Sequence, residues 1–156
     1  MASLGRSRPD YRIISLRYFN PCGGHESGLL GDEPVSYPNN LFPFIQEVIT
    51  GKREKLVVFG NDYPTPDGTC IRDYIHIFDL GIYFLILAVA HVLAFEKLNN
   101  LNNSYEVYNL GSGCGYSVLE ILKGYEKVLG KKVNYEMGGR RPGDVAKLMA
   151  NPKKAN

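Results

Sequence analysis

The side chains best suited to chemistry gather in two stretches. NDYPTPDGTCIRDYIHIFDL, residues 61 to 80, carries Asp62, Asp67, Arg72, Asp73, His76 and Asp79, and GRRPGD, residues 139 to 144, carries Arg140, Arg141 and Asp144. Arginine presents a planar fork of donors with permanent charge, which matches two oxygens of a phosphate. Together with Asn20 after one apolar run and Asn39 and Asn40 before another, these residues form a set suited to hold an oxygen-rich ligand. By spacing alone each arginine reads equally well as solvated surface. His76 and Asp79, four residues apart beside apolar neighbours, read as support for the fold rather than as catalysts.

Two searches for catalytic machinery fail. NLGSGCGYSVLEI places a glycine turn between a strand and a helix, where backbone N–H groups can meet a pyrophosphate. Gly111 and Gly113 fit the first two positions of G-x-G-x-x-G, but the third falls on Tyr116, so the stretch reads as a structural turn with Ser117 capping the helix. None of the eleven tyrosines is followed four residues later by Lys, so there is no Y-x-x-x-K pair in which the cation would lower the tyrosine pKa for proton transfer. The three histidines, His25, His76 and His91, are scattered and make a poor metal set. No catalytic residue and no metal ligand is expected in this chain.

The elements that must position these groups alternate in type. YRIISLRYFN has the β-branched character of a buried strand, and the Gly- and Pro-rich PCGGHESGLLGDEPVSYP after it reads as loop. Asn39 or Asn40 is expected to cap a helix over LFPFIQEVIT, with Pro43 in its first turn and Gly51 at its end. KLVVF at 55 to 59 reads as a strand. Leu80 to Phe95, sixteen uncharged residues, reads as a core helix capped by Asp79 and falls short of the roughly 18 to 20 needed to span a bilayer. YEVYNL at 105 to 110 is expected as a strand, VLEILKGYEKVLG as an amphipathic helix and KKVNYEM as a further strand. Strands alternating with helices predict an α/β layer arrangement.

Composition bounds the rest. At 156 residues and 44% apolar content, one compact domain is the expectation. Eighteen Lys and Arg stand against sixteen Asp and Glu with no basic block, which argues against nucleic acid or an anionic membrane as partner. Cys22, Cys70 and Cys114 are far apart and odd in number, so a reducing, cytoplasmic setting fits better than a disulfide framework. The start, MASLGRSRPDYR, lacks the apolar core of a signal peptide.

Taken together, LRYFNPCGGHESG, PNNLFPFI, VFGNDYPTPDGTCIRDYIHIFDL, YNLGSGCGYSVLEI and RRPGDVAKLMANP resemble the UDP-glucose 4-epimerase family of extended short-chain dehydrogenases/reductases, from about residue 12 onward. The resemblance implies the carboxyl-terminal part of an extended Rossmann-type fold, mainly its substrate-binding lobe. It also implies that residues 1–156 form a UDP-sugar-binding portion, while the NAD glycine loop and the Y-x-x-x-K pair belong to sequence preceding residue 1. Roles carried over by motif put Tyr18, Phe19 and Pro21 beside the nicotinamide and hexose, and Asn20 on the sugar nucleotide. Asn40 and Leu41 meet the diphosphate at a helix start, and Val57 and Phe59 hold the uracil. Arg72 and Arg141 bind phosphate, Asp144 accepts from the ribose, and Leu148 lines the hexose pocket where family members carry Tyr or Cys. The complete family enzyme holds NAD, which this chain is not expected to retain alone. It interconverts UDP-glucose and UDP-galactose, and is expected as a homodimer. The alternatives are a non-catalytic UDP-sugar-binding or partner-docking module, or a part of a uronate epimerase or decarboxylase.

Overall fold

The computed structural model describes all residues except 9, 26, 30, 33, 35, 36, 39, 77–83, 102 and 156, and only the backbone of 84–89. It contains two compact units rather than the single one expected, each assembled from separated segments. One comprises Met1–Leu30, Tyr74–Gly113 and Ala150–Asn156, the other Gly31–Asp73 and Cys114–Met149. The chain crosses between them at 30/31, 73/74, 113/114 and 149/150; the last three crossings fall between neighbouring structured residues, where no linker composition marks the boundary.

The first unit begins with helix α1 (Ala2–Ser7), which sequence did not announce. Strand β1 (Ile13–Tyr18) follows and pairs in parallel, residue for residue, with β6 (Tyr105–Leu110). Directly after β1 comes β2 (Asn20–Cys22), which pairs in parallel with β5 (Tyr74–His76). The stretch expected to be loop from Pro21 therefore keeps strand pairing through Cys22, because Tyr74–His76 supplies a ladder for it. Gly23 follows at φ +90, and a Cβ there would meet the His76 ring at 2.2 Å, so His76 does pack locally in support of the fold. Helix α3 (Phe84–Leu98) occupies the apolar run. The Asp79 cap and the Asn39 cap fall outside the described residues.

The second unit holds the buried core. Helix α2 (Leu41–Ile49) starts at Asn40, whose backbone is extended but whose side chain makes no capping bond; Pro43 sits buried in its first turn and Gly51 follows its end at φ +76. Strand β3 (Leu56–Phe59) alternates buried and exposed and pairs in parallel with β8 (Tyr135–Gly138). Helix α4 (Val118–Leu129) is closed at both ends: Ser117 and Glu120 form a reciprocal capping box and Gly130 is left-handed at the C-cap. Ile45, Leu56, Val58, Tyr63, Cys70, Val118, Leu122 and Val133 form the core that these elements share. Three very short strands, β4 (Ile71–Arg72), β7 (Tyr116–Ser117) and β9 (Lys147–Leu148), make a further sheet in the order β7-β4-β9. Strand β8 begins later than KKVNYEM suggests. The Val133 N–H goes to Glu126 Oε1 at 3.2 Å rather than into a ladder, and pairing starts only at Tyr135.

Among the described residues no helix is long and apolar enough to cross a membrane.

Candidate nucleotide site

The three-stranded sheet of the second unit sets the position of Arg72. Strand β4 is its middle strand, and Arg72 stands in register with Leu148 on the parallel side and Tyr116 on the antiparallel side. Both neighbours are about half exposed, so a charged group rises between two solvent-facing apolar or aromatic side chains. The guanidinium itself is held tightly. Its Nη1 donates to the carbonyls of Ile71 at 2.9 Å and Val145 at 2.8 Å, and its Nη2 points to Asp144 Oδ1 at 3.4 Å. With its side chain only 13% exposed, Arg72 is not the solvated surface group that spacing alone allowed.

Asp144 is shared. Its Oδ2 accepts from Arg141 Nε at 2.8 Å, so one carboxylate stands between two guanidiniums. Arg141, 52% exposed, also lies with Cζ 5.0 Å over the ring of Phe59. Phe59 and Val57 project from the outer face of β3, the face opposite Leu56 and Val58, and are partly exposed. In register with Phe59 on the same outer face is Gly138, where a Cβ would meet Val57 Cγ1 at 2.8 Å. That missing side chain keeps the apolar surface flat. The Lys55–Glu136 pair, at 2.6 Å, borders it.

Val57, Phe59, Arg141, Asp144, Arg72 and Leu148 thus form a connected run: an apolar face, an aromatic ring under a cation, a carboxylate, a second cation and a half-exposed aliphatic residue. Asn40 and Leu41 belong to the same unit at the start of α2. There Asn40 is exposed with its amide outside the helix's own hydrogen bonds, beside the orphan N–H groups of the first turn, while Leu41 packs against the core. Tyr18, Asn20 and Pro21 lie in the other unit. Tyr18 Oη is 3.0 Å from His91 Nε2 with the rings stacked, and burial pushes its pKa up.

Two residues near the run took roles that sequence reasoning did not assign. Arg140 donates from Nε to Asp62 Oδ1 at 2.7 Å and from Nη2 to the Asp62 carbonyl at 2.6 Å, and lies 4.3 Å over the Tyr63 ring. It ties the turn after β3 to the turn after β8. Tyr116, noticed only because it breaks a glycine spacing, is Arg72's direct neighbour; the strand that carries it is two residues long and has no period to detect. Asp73 is fully buried with its N–H on the Leu148 carbonyl at 3.1 Å, in keeping with a structural role.

The segment around Gly111–Ser117 does not fit a dinucleotide. The N-terminus of α4 is filled by its own capping box. A Cβ at Gly115 would strike Ile71 and Met149 at 2.5 Å, so that glycine serves packing against its own sheet. Tyr18 and Pro21 offer a flat ring some contact surface and offer a pyrophosphate nothing. Among the described residues no group of His, Cys, Asp and Glu is arranged to hold a metal ion.

The sequence model described as GDP-mannose 4,6 dehydratase matches residues 5–156. The chain belongs to the GDP-mannose 4,6 dehydratase family. Its similarity to UDP-glucose 4-epimerases is high: it is 49% identical over 150 residues to that of Yersinia enterocolitica, matching 96% of this chain and 42% of the relative. It is 52% identical over 146 residues to that of Bacillus subtilis (strain 168), matching 94% and 41%. Among solved structures, the UDP-glucose 4-epimerase of Bifidobacterium longum in complex with NAD+ and UDP superposes with a TM-score of 0.81 at 44% identity, over 99% of this chain and 43% of that one. The enzyme of Stenotrophomonas maltophila with bound NAD and formylated UDP-arabinopyranose gives 0.80 at 42%, over 99% and 44%. The chain therefore spans less than half the length of these relatives and has part of their Rossmann-like α/β fold. The resemblance read from its motifs is thus borne out at the level of the family.

Proposed function

We propose that this chain is the carboxyl-terminal, UDP-sugar-holding portion of an NAD-dependent epimerase that interconverts UDP-glucose and UDP-galactose in the cytoplasm as a homodimer. The observation that carries the reading is the continuous run from Phe59 through Arg141 and Asp144 to Arg72. Its order of apolar face, cation, carboxylate and cation suits a base, a ribose and a diphosphate. Relatives named as UDP-glucose 4-epimerases, one of them solved with UDP, support it.

In this reading Val57 and Phe59 face the uracil, Arg72 and Arg141 hold the diphosphate with help from the helix start at Asn40 and Leu41, and Asp144 accepts from the ribose. Leu148, beside Arg72, faces the hexose. Asn20 contacts the sugar nucleotide, and Tyr18 and Pro21 flank the nicotinamide in the whole enzyme. The work of this chain is positioning: a nucleotide held at two cations stays fixed while its sugar presents either face. No proton or hydride step is assigned to its residues.

Calorimetric titration of the chain with UDP tests the grip. A single saturable site is expected, and no binding by a chain with intact circular dichroism would overturn it. Replacing the matching segment of the Bacillus subtilis relative with this chain tests the reaction. A chimera that binds UDP but fails to convert UDP-galactose, while folding with its NAD in place, would overturn the epimerase reading.

A further inference from the structure

We infer that Asp144 makes this site select a nucleoside diphosphate over bare inorganic anions; the inference rests on the nucleotide reading above. The carboxylate already stands where an anion's oxygens would go, accepting from Arg141 Nε at 2.8 Å and facing Arg72 Nη2 at 3.4 Å. Each cation has a further contact besides Asp144. Arg72 is fixed by the Ile71 and Val145 carbonyls, and Arg141 lies over Phe59. The Asp144 and Arg72 side chains are 19% and 13% exposed, so water screens that pair only partly, while Arg141 at 52% is more open to it.

Two guanidiniums less one carboxylate leave a single net positive charge for an incoming anion. Inorganic pyrophosphate must crowd or displace Asp144, and its deprotonated oxygens offer that carboxylate no donor in exchange. A nucleoside diphosphate brings the same oxygens together with ribose hydroxyls. Those hydroxyls donate, so the Asp144 oxygens that lose an arginine regain a partner. Asp144 thus opposes the phosphate group and rewards the sugar attached to it, a selection by a like charge rather than by shape.

The test titrates sodium pyrophosphate and UDP separately into the whole 156-residue chain and into Asp144→Asn. The isosteric amide should tighten pyrophosphate by about 5-fold, the scale of one partly screened ion pair. It should weaken UDP by roughly 10-fold, the scale of a hydrogen bond to a charged group. Adding Arg141→Met to Asp144→Asn should abolish the pyrophosphate gain, which places it at this pair. Asp144→Ser, measured alongside, should move both ligands in the same directions, and it alone is read if the Asn variant loses its near-ultraviolet dichroism. Pyrophosphate affinity that stays level or falls on removing the carboxylate overturns the inference, as does a gain that survives loss of Arg141. If UDP fails to bind the unaltered chain, the nucleotide reading falls by itself, and the pyrophosphate arm still reports whether Asp144 competes.

Discussion

Arg72 and Arg141 carry the same charge into different surroundings, and substitution should separate them. Each Arg→Met change is expected to weaken UDP binding by roughly 1.5 to 3 kcal/mol. Arg72→Met should also lower the thermal midpoint, because it strips donors from the Ile71 and Val145 carbonyls, whereas half-exposed Arg141 should leave the midpoint nearly unchanged. Titration calorimetry and thermal unfolding on both variants check this, and unchanged affinity in both would make them structural. On the proposed reading, Leu148 is the residue-scale handle on the sugar. Half exposed beside Arg72 and without a hydroxyl, it should favour UDP-galactose over UDP-N-acetylgalactosamine by ~1 to 3 kcal/mol, the usual reach of apolar bulk. Leu148→Cys in the chimera should raise kcat/KM for the acetylated sugar, and no change would show that it does not face the hexose. At this scale the types of the candidate site residues were legible and their partners were not. The Arg141–Asp144 pair, three residues apart, was not read from the sequence, and Arg72 reaches Asp144 across 72 positions through a sheet of two-residue strands. Arg140 and Arg141 are indistinguishable by type and adjacent in sequence, yet one grips Asp62 and Tyr63 while the other faces Asp144 and Phe59.

Helix α4 shows how a turn and a helix are fastened together. Ser117 both caps the helix and donates to Asp67 Oδ2, while Asp67 Oδ1 accepts from the Thr69 N–H at 2.9 Å and hydroxyl at 2.8 Å. Burial pushes the Asp67 carboxyl up, but the bonds from Ser117 and Thr69 outweigh it and hold it below the usual range. The folded chain therefore favours the ionised form. That contribution is complete above the unfolded-state pKa and is lost as pH falls through the depressed folded value. The thermal midpoint should drop on acidification through the carboxylate range, and Asp67→Asn should lower it at neutral pH and flatten the drop. An unaltered acid limb in Asp67→Asn would show that other carboxylates govern it. The helix itself was plain in the sequence, since Ser117, Glu120 and Gly130 sit at its capping positions with an apolar stripe between. Strands β4, β5, β7 and β9 were not, because two or three residues carry no alternation and their pairing depends on distant partners. α/β layering followed from the longer elements; division into two units did not, because three of the four crossings fall beside strands or inside turns.

Taken whole, the described chain contains three parallel pairs of only two strands each. Parallel strands are normally covered on both faces and flanked by further strands, and two-stranded sheets are marginal in water. Val92, Leu93 and Phe95 on α3 are more than half exposed as well. The chain by itself should therefore be prone to self-association; on the proposed reading it should also neither retain NAD nor turn over UDP-galactose. Size-exclusion chromatography and cofactor release on denaturation read these directly; a sharply melting monomer with bound NAD would show it to be self-sufficient. The four crossings give damage to the coding sequence an unusual reach. A stop codon after Gly113 would remove Cys114–Met149 from one unit and Ala150–Asn156, which brings Lys154 to Glu106, from the other. Any stop codon at or before position 149 removes residues from both units, and only a later one spares the second unit, so nearly every shortened transcript should yield a product in which both are incomplete.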